Sequence, residues 1–219
     1  EQTAGRGRSG HSWHSTAGDG LYMSALVTPQ IPISMAMLLP LATGLAAQSA
    51  IREIATLTVD IRWPNDLLIN RRKCGGILVE TVASAGQNNA DAMLRYAVIG
   101  IGINLNHLEF PAEIESLATS LRKEGGLALS REALLISLLC SLDVEIRQIV
   151  QEYRRVLNGP GLLERFAAAS TWVRGKRVHV EEDGGYTGVT AGMDERGFLK
   201  VAGDDGALHT VLSGGVREL

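Results

Sequence analysis

Residues 94–106, LRYAVIGIGINLN, set the strictest limit on what this 219-residue chain can fold into. The run is strongly apolar and studded with glycine, and it reads as a strand. Gly100 and Gly102 alternate with Ile101 and Ile103. Successive side chains on a strand point to opposite faces, so the two glycines share one face. That face is a floor without side chains, closed at its end by the polar Asn104. A flat ligand can lie on such a floor, or a helix can pack tightly against it, and the residues alone leave both open. The spacing is not GxGxxG and no helix start follows, so a dinucleotide fingerprint is unsupported.

The rest of the chain supplies partners for this strand. GLYMSALV (20–27), VDIRW (59–63), DLLIN (66–70) and GGILVETV (75–82) read as strands, with RRK (71–73) as a hairpin turn. Residues Ile33 to Ile54 are Ala/Leu-rich and helical in character, bent or close-packed at Pro40 and Gly44. ASAGQNNADA (83–92) is a polar loop, and FPAEIESLATSL (110–121) is irregular with a short helix. The clearest helix runs from Ser130 to Tyr153. Leu135, Leu138, Leu139, Leu142, Ile146, Ile149, Val150 and Tyr153 form its apolar face, Ser130 caps it, Glu132 suits its first turn, and Asn158-Gly159-Pro160 stops it. Leu162 to Ala169 is a second, short helix.

After Thr171 the pattern changes. KRVHVEED, YTGVTAGMD, GFLKVAGDDG and ALHTVLSGG are short strands divided by DGG, DERG and DDG turns. A boundary near Trp172 separates residues 1–171 from an all-β module at 172–219. Apolar residues make up 45% of the chain, which is enough for a sizeable core. The net charge of −3 gives no reason to expect bulk polyanion binding, so any anion site is local. Cys74 and Cys140 are too few and too far apart for a disulfide framework or metal cluster, and fit a reducing cytoplasm. There is no run of 18 apolar residues and no signal-peptide pattern, so no membrane association is expected. The chain opens on Glu1 and not on Met, and residues upstream are expected to be missing.

Three stretches carry chemistry. In GRGRSG (5–10), glycines let backbone N–H groups turn toward an anion, and Arg6 and Arg8 add forked donors. The same stretch also fits a disordered loop or a nucleic-acid contact. Trp63-Pro64 forces an extended backbone before Asn65 and Asp66, placing them at a rim where a strand breaks. There Asn65 can meet a sugar or phosphate and Asp66 a basic group or hydrated metal, or the pair forms an Asx-turn. Lys73 follows the turn and precedes Gly75 and Gly76. It is either a solvated turn lysine or a cation beside a closely approached backbone. The histidines are not spaced as metal ligands; His11, His14 and His107 fall in loops and are mostly solvated, and His179 and His209 sit on strands. No GxSxG elbow is present.

Together, QTAGRGRSGHSW (2–13), RWPNDLLINRRKCGGILVE (62–80) and VIGIGINLN (98–106) resemble the biotin protein ligase family, in order and with its spacing. FPAEIESLATSL is similar to the family's bacterial continuation, and the last module to its SH3-like terminal domain. The resemblance implies an α/β (α+β) catalytic fold with a mixed sheet, related to class II aminoacyl-tRNA synthetases, and a small SH3-like barrel. It implies activation of biotin with Mg2+ and ATP to biotinyl-5′-adenylate, then transfer to a lysine of the biotin carboxyl carrier protein of acetyl-CoA carboxylase. By family pattern, Gln2, Gly5, Arg6, Gly7, Arg8, Lys73, Gly75, Gly76, Gly100 and Gly102 belong to the biotin site. Arg6, Arg8, Asn65, Asp66, Lys73 and Asn104 lie toward ATP or the adenylate, and Lys73 and Arg8 are the catalytic residues. The Arg/Gly loop would be a lid that orders over an anhydride which water would destroy. A homodimer is left open, and no nucleic-acid partner is expected.

The chain departs from the family in three places. Arg62 stands where the family has Lys before WPND; Arg is bulkier and stays charged. Ser9 and His11 stand where the loop commonly carries basic residues, which implies weaker adenylate retention or pH-sensitive closure. The family's Ser-Thr-Asn biotin-contact segment and any helix-turn-helix would lie upstream of Glu1. The competing readings are a biotin-sensing regulator of the same fold and a lipoate or octanoate ligase. The acidic net charge and scarce aromatics oppose a nucleic-acid role for GRGRSG.

Overall fold

A computed structural model describes residues 1–10, 12–84, 92–182, 184–212 and 215–219. Most of the loop expected at 83–92, and His11, lie outside the described residues. One five-stranded sheet has the order β1-β5-β4-β3-β2, built from β1 (Gly20–Val27), β2 (Asp60–Arg62), β3 (Asp66–Ile69), β4 (Arg72–Ala83) and β5 (Leu94–Asn104). The expected mixed sheet is not what forms. Every described strand pairing is antiparallel, because β2, β3 and β4 follow one another through tight hairpins and not through crossovers. Asn70 and Arg71, at φ 50° and 66°, make the β3–β4 turn. One isolated parallel bridge joins Lys73 to Ala118.

The register puts five residues in one row across the sheet. Tyr22 lies opposite Gly102, Gly102 opposite Gly76, Gly76 opposite Asp66, and Asp66 opposite Arg62. The row therefore has polar side chains at both ends and none in the middle. The other face carries Ile61, Leu67, Ile99 and Ile103, all fully buried. Helix α1 (Leu38–Ala55) packs there, and α3 (Arg131–Tyr153) packs on α1. Gly44 is the close-packing residue: a Cβ there would stand 3.3 Å from Ile61 and 3.7 Å from Phe166. Pro40 does not bend α1, because it sits in the first turn, where no internal hydrogen bond is lost. The helix begins at Leu38, after a 3-10 turn at Ile33–Met35.

Ser130 caps α3 as expected, its Oγ accepting from the Ala133 N–H at 3.1 Å. The buried stripe is narrower than the apolar pattern and runs through Leu134, Leu138, Leu142 and Ile149. Leu139 and Tyr153 are exposed, since α1 covers chiefly one line along the helix. Residues 112–117 are turns and not a helix; α2 (Leu121–Gly125) starts only after the Ser120 cap. Helix α4 (Leu162–Ala169) then leads to the second sheet.

That sheet is antiparallel, in the order β10-β6-β7-β8-β9, from β6 (Arg174–Val180), β7 (Tyr186–Met193), β8 (Leu199–Gly203), β9 (Leu208–Val211) and β10 (Val216–Glu218). Strand β10 has only three residues, two of them charged, and carries no strand pattern. The two sheets share one core, in which Trp172, Val178, Val201 and Val211 join the residues around α1. Trp63 Nε1 donates to the Gly197 carbonyl at 2.9 Å, and Thr171 bonds the Asp60 carboxylate through its N–H and its hydroxyl. These bonds fix the β6–β10 sheet beside the β2–β3 hairpin. No helix among the described residues is long and apolar enough to cross a membrane.

Candidate active site

A bulge places Lys73. Gly75 pairs with Leu67, but the next pair is Lys73 with Leu68, so Cys74 is an extra residue on β4. Strict alternation from Gly76 would send Cys74 to the glycine face and Lys73 into the core. The bulge reverses this. Cys74 is fully buried, and burial pushes its thiol up to about 12. Lys73 stands on the glycine face, in a strand and not in the turn that its sequence suggests. Residues 117–119 pin its backbone: Lys73 N–H donates to the Leu117 carbonyl at 2.8 Å, and Thr119 N–H donates to the Lys73 carbonyl at 2.9 Å.

Lys73 Nζ lies 2.5 Å from Asp66 Oδ1. Arg62 holds the other oxygen, Oδ2, through Nε at 3.1 Å and through Nη2. Burial alone would raise the Asp66 carboxyl; the charges and hydrogen bonds of Lys73 and Arg62 outweigh it and hold the group below its usual range. Asp66 is therefore a buried anion and not a rim residue.

The N-terminal loop folds back on itself. Arg6 bridges Ser12, Trp13 N–H donates to the Gly5 carbonyl at 2.9 Å, and Gln2 N–H donates to Ser15 Oγ at 2.7 Å. This closure delivers Trp13 onto the glycine floor. A Cβ on Gly102 would stand 2.8 Å from Trp13 Cε2, and one on Gly76 would stand 3.1 Å from Cζ3. Lys73 Nζ lies 5.5 Å from the Trp13 ring centroid. What covers Gly102 is thus an aromatic side chain from the loop, which neither sequence alternative foresaw. The Trp13 Nε1–H is buried and has no hydrogen-bond partner among the described residues.

Two cavities adjoin at this point. The smaller, about 250 Å³, is lined by Gln2, Arg6, Gly7, Arg8, Trp13, Tyr22, Lys73, Gly76, Gly100 and Gly102, among others. The larger, about 560 Å³, takes in Arg62, Asp66, Arg71, Asn104, Phe110, Ile114, Leu117 and, from the second sheet, Glu181 and Arg217. Gly7, Arg8, Trp13, Asn65 and Lys73 line both. Burial lowers the Arg8 guanidinium from its ordinary value, against the raising effect of Asp66 and Glu182.

Most of the residues picked out in sequence meet here. Gly5 and Gly75 do not line either cavity. Gly5 sits where a Cβ would meet the Trp13 carbonyl oxygen at 2.7 Å, and Gly75 faces the core against Leu67. The amides of Asn65 and Asn104 are committed to the backbone, donating to the Ile77 and Thr119 carbonyls. His107 is not solvated: it is 1% exposed, stacks on Phe110 and hydrogen-bonds Tyr22 Oη at 3.2 Å. Burial holds its imidazole below the ordinary value. Trp13, Tyr22, Arg71, Phe110, Ile114, Leu117 and Arg217 were not singled out from sequence. Only Trp13 had a signal, a lone aromatic beside a glycine-rich loop.

The two cavities thus meet at a lysine and an arginine that line both. The model of the biotin/lipoate A/B protein ligase family matches residues 1–104. The biotin--[acetyl-CoA-carboxylase] ligase of Mycobacterium tuberculosis is 31% identical over 98% of this chain and 74% of its own length. The bifunctional ligase/repressor BirA of Bacillus subtilis is 33% identical over 94% of this chain, which spans 61% of that relative's length. Among solved structures, the biotin protein ligase of Aquifex aeolicus in complex with biotin and ATP matches with a TM-score of 0.77 at 27% identity, over 100% of this chain and 86% of that one. The chain belongs to the biotin/lipoate protein ligase family.

Proposed function

We propose that the chain is the ligase part of a biotin protein ligase. It joins biotin to ATP as biotinyl-5′-adenylate with release of pyrophosphate, and passes the biotin to a lysine of a biotin carboxyl carrier protein. The observation that carries this reading is the seam between the cavities, where Lys73 and Arg8 line both. A carboxylate in the smaller cavity and a phosphate in the larger one would meet at those two cations, where charge builds up in the transition state. Tyr22 and Trp13 bound the biotin end, and Phe110, Ile114 and Leu117 offer an apolar wall for an adenine. Arg62, Arg71 and Arg217 add positive charge for the phosphates. Magnesium enters as part of the nucleotide substrate, with Asp66 and Glu181 the carboxylates in that wall.

In this reading Gln2, Arg6, Gly7, Gly76, Gly100 and Gly102 contact biotin, and Asn65 and Asn104 border the nucleotide. The domains divide at 171/172, with a class II synthetase-like catalytic part and an SH3-like module whose β10 end reaches the nucleotide. The cytoplasm and a homodimer belong to the same proposal, the outer edge of β1 being free of any described strand. The test is incubation of a purified carrier domain with the protein, ATP, magnesium and biotin. Mass spectrometry should find one added biotin on one lysine. Labelling with lipoate or octanoate in place of biotin would move the chain to the other branch of its family.

A further inference from the structure

Asp66 has two cationic partners, and one of them is anchored a second time. Arg62 Cζ stands 5.4 Å from the centroid of the Trp172 ring, and Lys176 Nζ stands 5.4 Å from the same centroid. Lys176 continues to Glu218 at 3.2 Å, and Glu218 to Arg71 at 3.0 Å. Arg71 is two residues before Lys73. The contacts therefore form a closed circuit, from Lys73 through Asp66, Arg62, Trp172, Lys176 and Glu218 back to the same hairpin. Trp172 is 4% exposed and stands two residues before β6, so it is a fixed post. An arginine suits the place next to it. Its plane can lie near an indole while two N–H groups of its rigid fork donate to one carboxylate oxygen, whereas a lysine ammonium is a point charge without that plane.

We propose that Trp172 is a positioning residue for Lys73: it keeps the Arg62 guanidinium on Asp66, so that Asp66 does not hold the Lys73 ammonium alone. The proposal rests on the reading of Lys73 as the cation that meets the anionic ligand. Without its indole anchor, Arg62 is free to swing into the larger cavity that it lines. Both Asp66 oxygens then fall to Lys73, and the lysine must leave an undivided negative charge before it can turn to a ligand.

The test compares Trp172→Leu, Trp172→Phe and Arg62→Lys with the unaltered protein. The first readout needs no ligand: acylation of Lys73 by acetic anhydride at fixed pH, followed by peptide mass spectrometry with Lys200 as internal reference. Trp172→Leu and Arg62→Lys should slow Lys73 acylation about threefold, the size of one cation–π contact. Trp172→Phe keeps an aromatic face and should recover most of the rate. The second readout is ATP–pyrophosphate exchange, where kcat should fall with the labelling rate while KM for biotin holds. Equal labelling in the Leu and Phe variants, or unchanged labelling in Arg62→Lys, overturns the proposal. If Trp172→Leu does not fold, Arg62→Lys decides alone. An unaltered protein that shows the labelling pattern but no biotin-dependent exchange overturns the functional reading and leaves the positioning role standing.

Discussion

Replacing Gly102 by alanine asks whether the glycine floor is shared between Trp13 and a ligand. The new Cβ would stand 2.8 Å from Trp13 Cε2, 2.9 Å from Cζ2 and 3.0 Å from Nε1. Carbon atoms rest at about 3.5–4.0 Å, so the indole must withdraw by roughly 1 Å. Trp13 sits on the N-terminal loop, and the helices lie on the opposite face of the sheet, so the strain falls on the loop and not on the core. Overpacking costs about 1–3 kcal/mol where neighbours are fixed; a loop that can swing keeps it near the lower end. For a chain of this size that is a fall in Tm of about 2–4 °C. A ligand lying on the floor has no such freedom, and biotin affinity should drop at least about tenfold. The double variant with Trp13→Ala removes the indole and should restore the melt without restoring affinity. Thermal melting and calorimetric titration with biotin measure both quantities. A fall in Tm of roughly 10 °C that Trp13→Ala does not relieve, with biotin affinity intact, would refute the shared floor.

Lys73→Ala should keep the fold, because Arg62 still neutralises Asp66, but should lower adenylate formation by on the order of 3 kcal/mol in the transition state. Near-normal pyrophosphate exchange would return Lys73 to a structural role. Arg8→Gly should still consume biotin and ATP but release the adenylate about tenfold faster, for roughly 1.5 kcal/mol of lost contact. Bystander proteins would then be biotinylated along with the carrier, and labelling confined to the carrier would count against a retaining lid. The Asp66 carboxyl is held below its unfolded value, so its contribution is complete above about pH 4 and is lost as pH falls through the lower, folded value. Asp66→Asn should flatten the acid side of a stability–pH curve measured by urea unfolding, and parallel curves would contradict the pairing.

Much of the sheet was legible because its strands keep period two: β1 and β5 fall within a residue or two of the apolar runs that announce them. The α3 cap was legible because Ser130 is a local signal. What was hidden depended on contacts distant in sequence. Nothing in VRE marks β10 as a strand, since its pairing comes from β6. The burial of His107 comes from Tyr22, 85 residues away. Gly75 and Gly76 look alike in sequence, while pleating sends them to opposite faces. The glycines of GRGRSG also fit a disordered loop, but the bonds that close the segment run from Gln2 and Gly5 to Ser15 and Trp13.

The extra residue at Cys74 has a consequence for anyone who transplants this hairpin into another sheet. A designer who keeps every residue of β4 but imposes regular alternation would iron out the bulge and lose no functional group from the sequence. Pairing Cys74 in register should turn the ammonium of Lys73 inward among Ile61, Leu67 and Ile99, away from Asp66. The product would be a sheet with every cavity-lining residue still in its sequence, and the Lys73 cation on the wrong side.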